Sequence, residues 1–209
     1  RKKSTVIVSQ TWGEIHEINE RIRTGLRTAG LIDKNNSTVT ALARVDLTKA
    51  QKRDRRFYPD GALIVFNRET KDFAKSEVGK LLKATPTHLL VQTENQVQRI
   101  PFKLLDRLTV CQPVEMTLAK GDQLQLKANA PSLDGKELTN GELVTVKAVK
   151  PNGQIELKDG RVLPENDREF VRGYAITSYG SQGKTVQHVL FSDSTVKAAT
   201  NNQQWLVTI

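Results

Sequence analysis

Glu77-Val-Gly-Lys-Leu-Leu-Lys-Ala-Thr-Pro86 aligns without gaps on Glu142-Leu-Val-Thr-Val-Lys-Ala-Val-Lys-Pro151. A Gly-led apolar run precedes each copy, at Gly61 and Gly121. After each come a strand-like run (His88 to Gln92; Gln154 to Lys158), a turn, and Arg-Ile-Pro101 or Arg-Val-Leu-Pro164. Short Val/Leu/Ile runs separated by Gly, Pro and Asn are the pattern of small antiparallel sheets, so the middle of the chain must build one such unit twice. Asn152-Gly153 and Asp159-Gly160 are preferred pairs for two-residue hairpin turns. The second module is therefore expected to close into a small SH3-like barrel, and the first to be a looser copy. Between them, Leu104 to Val110 is expected to cross back over the domain formed by the rest of the chain, with Cys111 and Pro113 marking the boundary.

The two ends of the chain have a different texture. Thr5-Val-Ile-Val8 reads as a buried parallel strand, and Ile15, Ile18, Ile22 and Leu26 recur behind it at helical spacing until Gly25 and Gly30 end the helix. A strand feeding a helix begins an α/β unit. Near the other end, Tyr174-Ala-Ile176 and Val186 to Phe191 flank a turn of small, hydroxyl and amide residues. Gly180 and Gly183 free the backbone there, while Thr177, Ser178, Ser181, Gln182, Lys184 and Thr185 supply the donors and charge that suit a phosphate-rich ligand.

Two hydrolase motifs fail on this loop. Gly183-Lys184-Thr185 has the ending of a P-loop, but Ser178 stands where that motif needs its first glycine. Gly180-Ser-Gln-Gly183 lacks the residue that a nucleophile elbow places between its first Gly and its Ser. The loop resembles instead the fifth motif of RecD-like superfamily-one DNA helicases: Thr177, a short spacer, then Ser181-Gln-Gly-Lys-Thr185. The wider string from Arg172 through Val189-Leu-Phe-Ser-Asp-Ser to Gln204-Trp-Leu-Val-Thr-Ile209 is similar to the helicase half of TraI/TrwC-type conjugative relaxases. Ser9-Gln-Thr-Trp-Gly-Glu with Asn19 and Ile22-Arg23 resembles the opening of the second motor domain in the same helicases.

The resemblance implies α/β plus β architecture: a split RecA-like core carrying two inserted antiparallel β-modules. Residues 1–56 would open the motor domain, 57–112 and 113–167 would be the insertions, and 168–209 would return to the motor. Gln10, Thr11 and Trp12, with Thr177, Ser178 and Tyr179, are the expected contacts to single-stranded DNA. Gln182, Gly183 and Lys184 are expected to face the nucleotide cleft, with Asn19 and Arg23 as supports. Tyr179 stands where many relatives have histidine, and stacking on a base is worth about 1–3 kcal/mol in single-strand binders.

The resemblance also implies what is missing. The P-loop Lys, the Walker-B acid and the arginine finger are not found, and the finger would follow a strand like Trp205 to Ile209. ATP and Mg are therefore expected in the parent protein only, with no catalytic residue, ATPase or unwinding activity in this segment alone. Its expected partners are single-stranded DNA, the first RecA-like domain of the same polypeptide and, as a further candidate, a type IV secretion coupling protein. The parent would be a conjugative helicase with a DNA-nicking relaxase. A rival reading makes the β-modules a docking platform for the coupling protein, and a third makes them an RNA-binding barrel. An intact fifth motif favours the motor.

Charge agrees with a polyanionic partner: the 209 residues carry a formal +9. The densest basic run, Lys49-Ala-Gln-Lys-Arg-Asp-Arg-Arg56, is a candidate phosphate contact or a solvated face. A single cysteine, Cys111, excludes an internal disulfide and a multi-cysteine zinc cage, and His16, His88 and His188 lack neighbours at ligand spacing, so no metal is expected. No apolar run approaches the roughly twenty residues of a membrane span. The expectation is a cytoplasmic chain without membrane insertion, cut from a longer polypeptide because it starts without Met and stops inside a strand-like run.

Overall fold

The computed structural model describes residues 4–69, 72–94, 96–165 and 168–192. In chain order the elements are β1 (Thr5–Ser9), α1 (Trp12–Thr28), β2 (Ser37–Val45), β3 (Leu63–Phe66), β4 (Val78–Ala84), β5 (His88–Gln92), β6 (Val97–Pro101) and β7 (Leu108–Leu118). There follow β8 (Gln123–Leu126), β9 (Ala130–Pro131), β10 (Glu137–Leu138), β11 (Leu143–Val149), β12 (Ile155–Leu157) and β13 (Val162–Leu163). The described part ends with β14 (Phe170–Arg172), β15 (Ala175–Thr177), the short α2 (Ser178–Ser181) and β16 (His188–Phe191). The strand-like Trp205 to Ile209 lies outside the described residues. The chain divides into two compact units, one from Arg1–Ser37, Thr117–Leu163 and Val171–Ile209, the other from Thr38–Met116 and Pro164–Phe170.

In the first unit the two ends of the chain share one parallel sheet, β15-β1-β16. Ser9 pairs with Thr177 on one side of β1, and Thr5 with His188 on the other. Val6, Val8 and Ile176 form its core, with Leu143, Val186 and Phe191 packed against them. Because all three strands run the same way, the loop after β1 and the loop after β15 leave from one edge. That carboxyl edge is where open α/β sheets place their ligands.

Helix α1 starts on Thr11, whose side chain accepts from the Glu14 N–H, and ends on Gly30 at φ +71°. The Gly30 N–H donates to the Arg27 carbonyl and the Leu31 N–H to that of Leu26, a Schellman closure. Gly25 lies inside the helix. The fully buried stripe runs through Ile15, Asn19 and Arg23, with Ile18, Ile22 and Leu26 half-buried beside it. Polar residues take the centre because each has a fixed partner. Asn19 Oδ1 accepts the backbone N–H groups of Tyr174 and Ala175, and its Nδ2 donates to the Ala175 carbonyl. Arg23 makes a two-pronged pair with the buried Asp122, at 2.8 and 2.9 Å.

The second β-module also lies in this unit, as a sheet of order β13-β12-β11-β8-β14 with a separate β9-β10 pair. The order is linear, so the expected closed SH3-like barrel is not formed among the described residues. Its hairpin loops differ from expectation for a local reason. Lys150 pairs with Gln154 across Pro151-Asn-Gly153, and Leu157 with Arg161 across Lys158-Asp-Gly160. Only the glycines, at φ +81° and +92°, are left-handed, so each loop is a three-residue turn closed by glycine instead of a two-residue type I′ turn.

The other unit is built on a six-stranded sheet, β2-β7-β3-β4-β5-β6. Ile64, Phe66, Leu89, Val91, Ile100, Leu108 and Val110 form its main core, in which Phe66 and Phe73 stack at 3.8 Å. Residues 104–110, expected to cross back over the motor domain, form instead the end of a 3-10 turn (Phe102–Arg107) and the start of β7, which pairs with β3. Cys111 lies fully buried with Leu42 and Val65, and burial pushes its thiol up to about 12.

Candidate functional site

The loop between β15 and β16 is shaped by its own hydroxyls. Thr177 caps the short α2: its Oγ1 accepts the Gly180 N–H at 3.0 Å. Ser181 Oγ donates to the Ser178 carbonyl at 2.7 Å. Gly180 packs so closely on β8 that a Cβ there would lie 2.9 Å from Gln125 Nε2. Gly183 takes φ +74° and turns the chain toward β16. These constraints push Tyr179 outward, where it is 83% exposed.

Six side chains were expected to touch DNA, and the structure separates them. Tyr179 and Trp12, the latter 42% exposed, present aromatic faces. Thr11 and Thr177 are helix caps. Ser178 is only 6% exposed, and its Oγ has no hydrogen-bond partner. Gln10, the residue after β1, has both side-chain amide atoms buried and unpartnered.

Of the three residues expected at the nucleotide cleft, Gln182 and Lys184 fall in the same place as the aromatic one, and Gly183 does not line it. Tyr179, Gln182 and Lys184 line one open cleft of about 630 Å³, together with Lys127, Asn140 and Gly141 of the second β-module. Lys184 Nζ donates to the Gly141 carbonyl at 2.9 Å. Lys127 Nζ lies 4.9 Å from the centroid of the Trp12 ring and 3.2 Å from Gln125 Oε1. Lys127 and Asn140 were not found by reading the sequence. The available signal was Gln125 and Lys127 standing where the first copy has Val65 and Asn67, which the repeat alignment exposes.

Behind the cleft the supports are ionic. Asp122 accepts from Arg23, from the Tyr174 hydroxyl at 2.6 Å and from the Ala119 N–H at 2.7 Å. Burial alone would raise its carboxyl, but these hydrogen bonds outweigh burial and hold it below its ordinary value. The Tyr174 phenol is pushed up by burial and then by Asp122. At the far side of the cleft Arg161 binds Glu142 and Asp159, which lowers both carboxylates.

The basic run 49–56 is largely spent within its own unit. Lys49 pairs with Asp106 at 2.8 Å and Arg56 with Asp54 at 2.6 Å. Lys52 donates to the Leu105 and Leu108 carbonyls, and Arg53 lies over the Phe102 ring. Among the described residues no group of three His, Cys, Asp or Glu could hold a metal ion, and no helix is long and apolar enough to cross a membrane.

No protein-family model matches the chain. It is 23% identical over 159 residues, 73% of its length, to the multifunctional conjugation protein TraI of Escherichia coli (strain K12). It spans only 9% of that protein. The TraI-type resemblance read from the sequence is met by this match. Among solved structures, the Pif1 helicase from Bacteroides in complex with ADP-AlF3 and single-stranded DNA aligns at 12% identity and a TM-score of 0.29, over 99% of this chain and 37% of that one. The Pif1 helicase from Candida albicans aligns at 14% identity and 0.31, over 100% and 42%. Scores of that size establish no common fold, and the architecture rests on its own strand pairings.

Proposed function

We propose that this chain supplies the second, RecA-like motor domain of an ATP-dependent, RecD-like DNA helicase of the conjugative TraI type, and that it grips single-stranded DNA. The observation that carries the reading is Tyr179, held outward at the carboxyl edge of a parallel sheet and in one cleft with Lys184. An exposed aromatic stacks on any base, and a neighbouring ammonium favours the phosphate beside it. Thr177 and Gly180 fix the loop from which the ring projects. Trp12, the first residue of α1, extends the aromatic surface. Ser178 and Gln10 serve the reading as supports beneath the loop.

ATP and Mg belong to this reading through the whole protein. The described residues do not fit that group on their own. Lys184 is bonded to a carbonyl and no carboxylate cluster stands beside it, so no step of hydrolysis is assigned to them. The DNA-nicking relaxase activity, the first motor domain and the conjugative setting are likewise proposed of the parent.

The test is fluorescence anisotropy of the chain with a labelled single-stranded oligonucleotide over a salt series. Binding that weakens linearly in log salt, and weakens further in Tyr179→Ala, is the expected result; a wild-type chain that does not bind at low salt sinks the reading. A second reading is that the two β-modules form a docking platform for a type IV secretion coupling protein. A pull-down with the coupling protein tests it.

A further inference from the structure

We propose that the outer face of β4, β5 and β6, in the first β-module alone, is a docking surface for an acidic segment of a partner protein, one that sets apolar side chains between its carboxylates. Docking there is independent of the DNA grip proposed above and needs only one of the two copies.

Strand register defines the face. Lys80, Gln92 and Val97 stand in one row across the three strands, and Lys83, Leu90 and Arg99 in the next row on the same side. Leu89, Val91 and Ile100 alternate with them and are fully buried in the core on the opposite side. The bulge between Leu81 and Lys83 adds Leu82, which is 50% exposed. Val97 is 54% exposed and Leu90 half-buried, and the two are diagonal neighbours in the sheet. Lys80, Lys83 and Arg99 are exposed, and none of them makes a hydrogen bond or ion pair among the described residues. Neither row holds a carboxylate.

The equivalent positions of the second module are closed on themselves. Lys147 stands at the bulge where the first copy has Leu82, Glu156 stands where it has Leu90, and the two pair at 2.6 Å. Thr145, Ala148 and Val162 stand for Lys80, Lys83 and Arg99. One pairing frame thus carries a satisfied ion pair in one copy and an apolar centre ringed by unpaired cations in the other. Sheet formation does not require leucine at 82 or 90, since the second copy pairs in the same order without it.

Chemistry selects the occupant. An exposed apolar patch with a polar rim is the anatomy of a protein interface. Three cations with no carboxylate among them favour a partner of opposite sign. A single nucleic-acid strand is held by rings on which its bases stack, and neither row has an aromatic residue.

The test is fluorescence anisotropy with a labelled amphipathic peptide, a leucine stripe flanked by glutamates. The same peptide with lysine for every glutamate, and labelled oligothymidylate, are run beside it. The glutamate peptide should bind the wild-type chain and the lysine peptide should not. Leu82→Lys/Leu90→Glu, which installs the ion pair of the second copy, should weaken the glutamate peptide about tenfold or more, as exchange of central anchors does, and leave oligothymidylate binding at its wild-type value. Lys83→Gln/Arg99→Gln keeps both leucines and should weaken the glutamate peptide several-fold while reducing its salt dependence. If the lysine peptide binds as well as the glutamate peptide, the face is merely apolar and the inference falls. It falls equally if the glutamate peptide does not bind at low salt, or binds either double variant as it binds the wild type. If Lys83→Gln/Arg99→Gln weakens oligothymidylate instead of the peptide, the face serves nucleic acid and the inference falls too. Binding of oligothymidylate by the wild-type chain reports the DNA grip separately, so the two readings fail independently.

Discussion

The two β-modules share one strand-pairing frame and differ in the side chains set on it. Strands β3-β4-β5-β6 and β8-β11-β12-β13 pair in the same order, all antiparallel. Leu63 to Val65 pair with Lys80 to Val78 as Gln123 to Gln125 pair with Thr145 to Leu143. The irregularity in the next pair falls between Leu81 and Lys83 in one module and between Val146 and Ala148 in the other, which are equivalent positions in the gapless alignment. A bulge at one place in both copies makes it a designed bend in each strand. The facing side chains diverge. Val65 packs with Leu42 and Cys111, while its counterpart Gln125 lines the cleft; Asn67 accepts the Thr109 hydroxyl, while its counterpart Lys127 lies over Trp12. The pairing frame is common to both, and the same strand positions face the core in one module and an open cleft in the other.

The largest expected difference between the modules is electrostatic. Module two is anchored to α1 through the buried Arg23–Asp122 pair, whereas the main core of module one is apolar apart from Tyr58. Asp122→Ala would strand the Arg23 guanidinium in the interior, and losing one partner of a buried pair costs about 3–5 kcal/mol. Urea denaturation measures it. The pH dependence has a definite sign. The Asp122 carboxyl titrates below its unfolded value of 3.8 when folded, so its stabilisation is present above that pH and is lost as the pH falls through the folded value. Amides of α1 and β8 should therefore lose exchange protection in acid before those of β3 to β5. Equal acid sensitivity in both sets would dissolve the contrast.

A smaller effect separates the modules at one pair of equivalent positions, Gly79 and Val144. A Cβ on Gly79 would stand 2.4 Å from Val91 Cγ1 and 3.1 Å from the Gln92 carbonyl oxygen. Gly79→Ala should destabilise module one by about 1–3 kcal/mol, the usual cost of overpacking. The double variant Gly79→Ala/Val91→Ala should lose less than the sum of its singles, because each substitution relieves the other. Additive losses, measured by thermal melting, would mean that something other than this contact holds the glycine in place.

What the sequence made legible follows from the range of the interactions. The repeat, β1, the start of α1 and its stop at Gly30 are written in local alternation, spacing and punctuation, and they are found. So is the loop from Thr177 to Thr185, whose hydroxyls and glycines act on their own backbone. The Arg23–Asp122 pair joins residues distant in the chain, and periodicity counts apolar positions; the isoleucine stripe of α1 therefore pointed beside the buried face. The barrel expectation rested on taking Asn-Gly and Asp-Gly as two-residue turns, and each loop holds one residue more. The separation of Tyr179 from Gln182 and Lys184 into two sites came with the family resemblance. Sequence spacing holds no record that Gly141 would bond Lys184 and draw them into one cleft.

The smallest effect is expected where the sequence shows most charge. Lys49 and Arg56 belong to the densest basic run, and by charge count alone they should contribute to binding a polyanion. Each is engaged by a carboxylate of its own unit, Asp106 and Asp54. A phosphate approaching either lysine or arginine would have to displace that carboxylate, so the release of counterions that drives binding is reduced. Both carboxylates titrate below their ordinary values because of these partners, so the pairs persist at neutral pH. The double variant Lys49→Gln/Arg56→Gln should bind labelled oligothymidylate with the affinity and salt slope of the wild type, although it removes two charges. A drop in slope of about 1.4, two single-strand contacts' worth, would place the strand on the basic run 49–56, in the unit that carries the first copy.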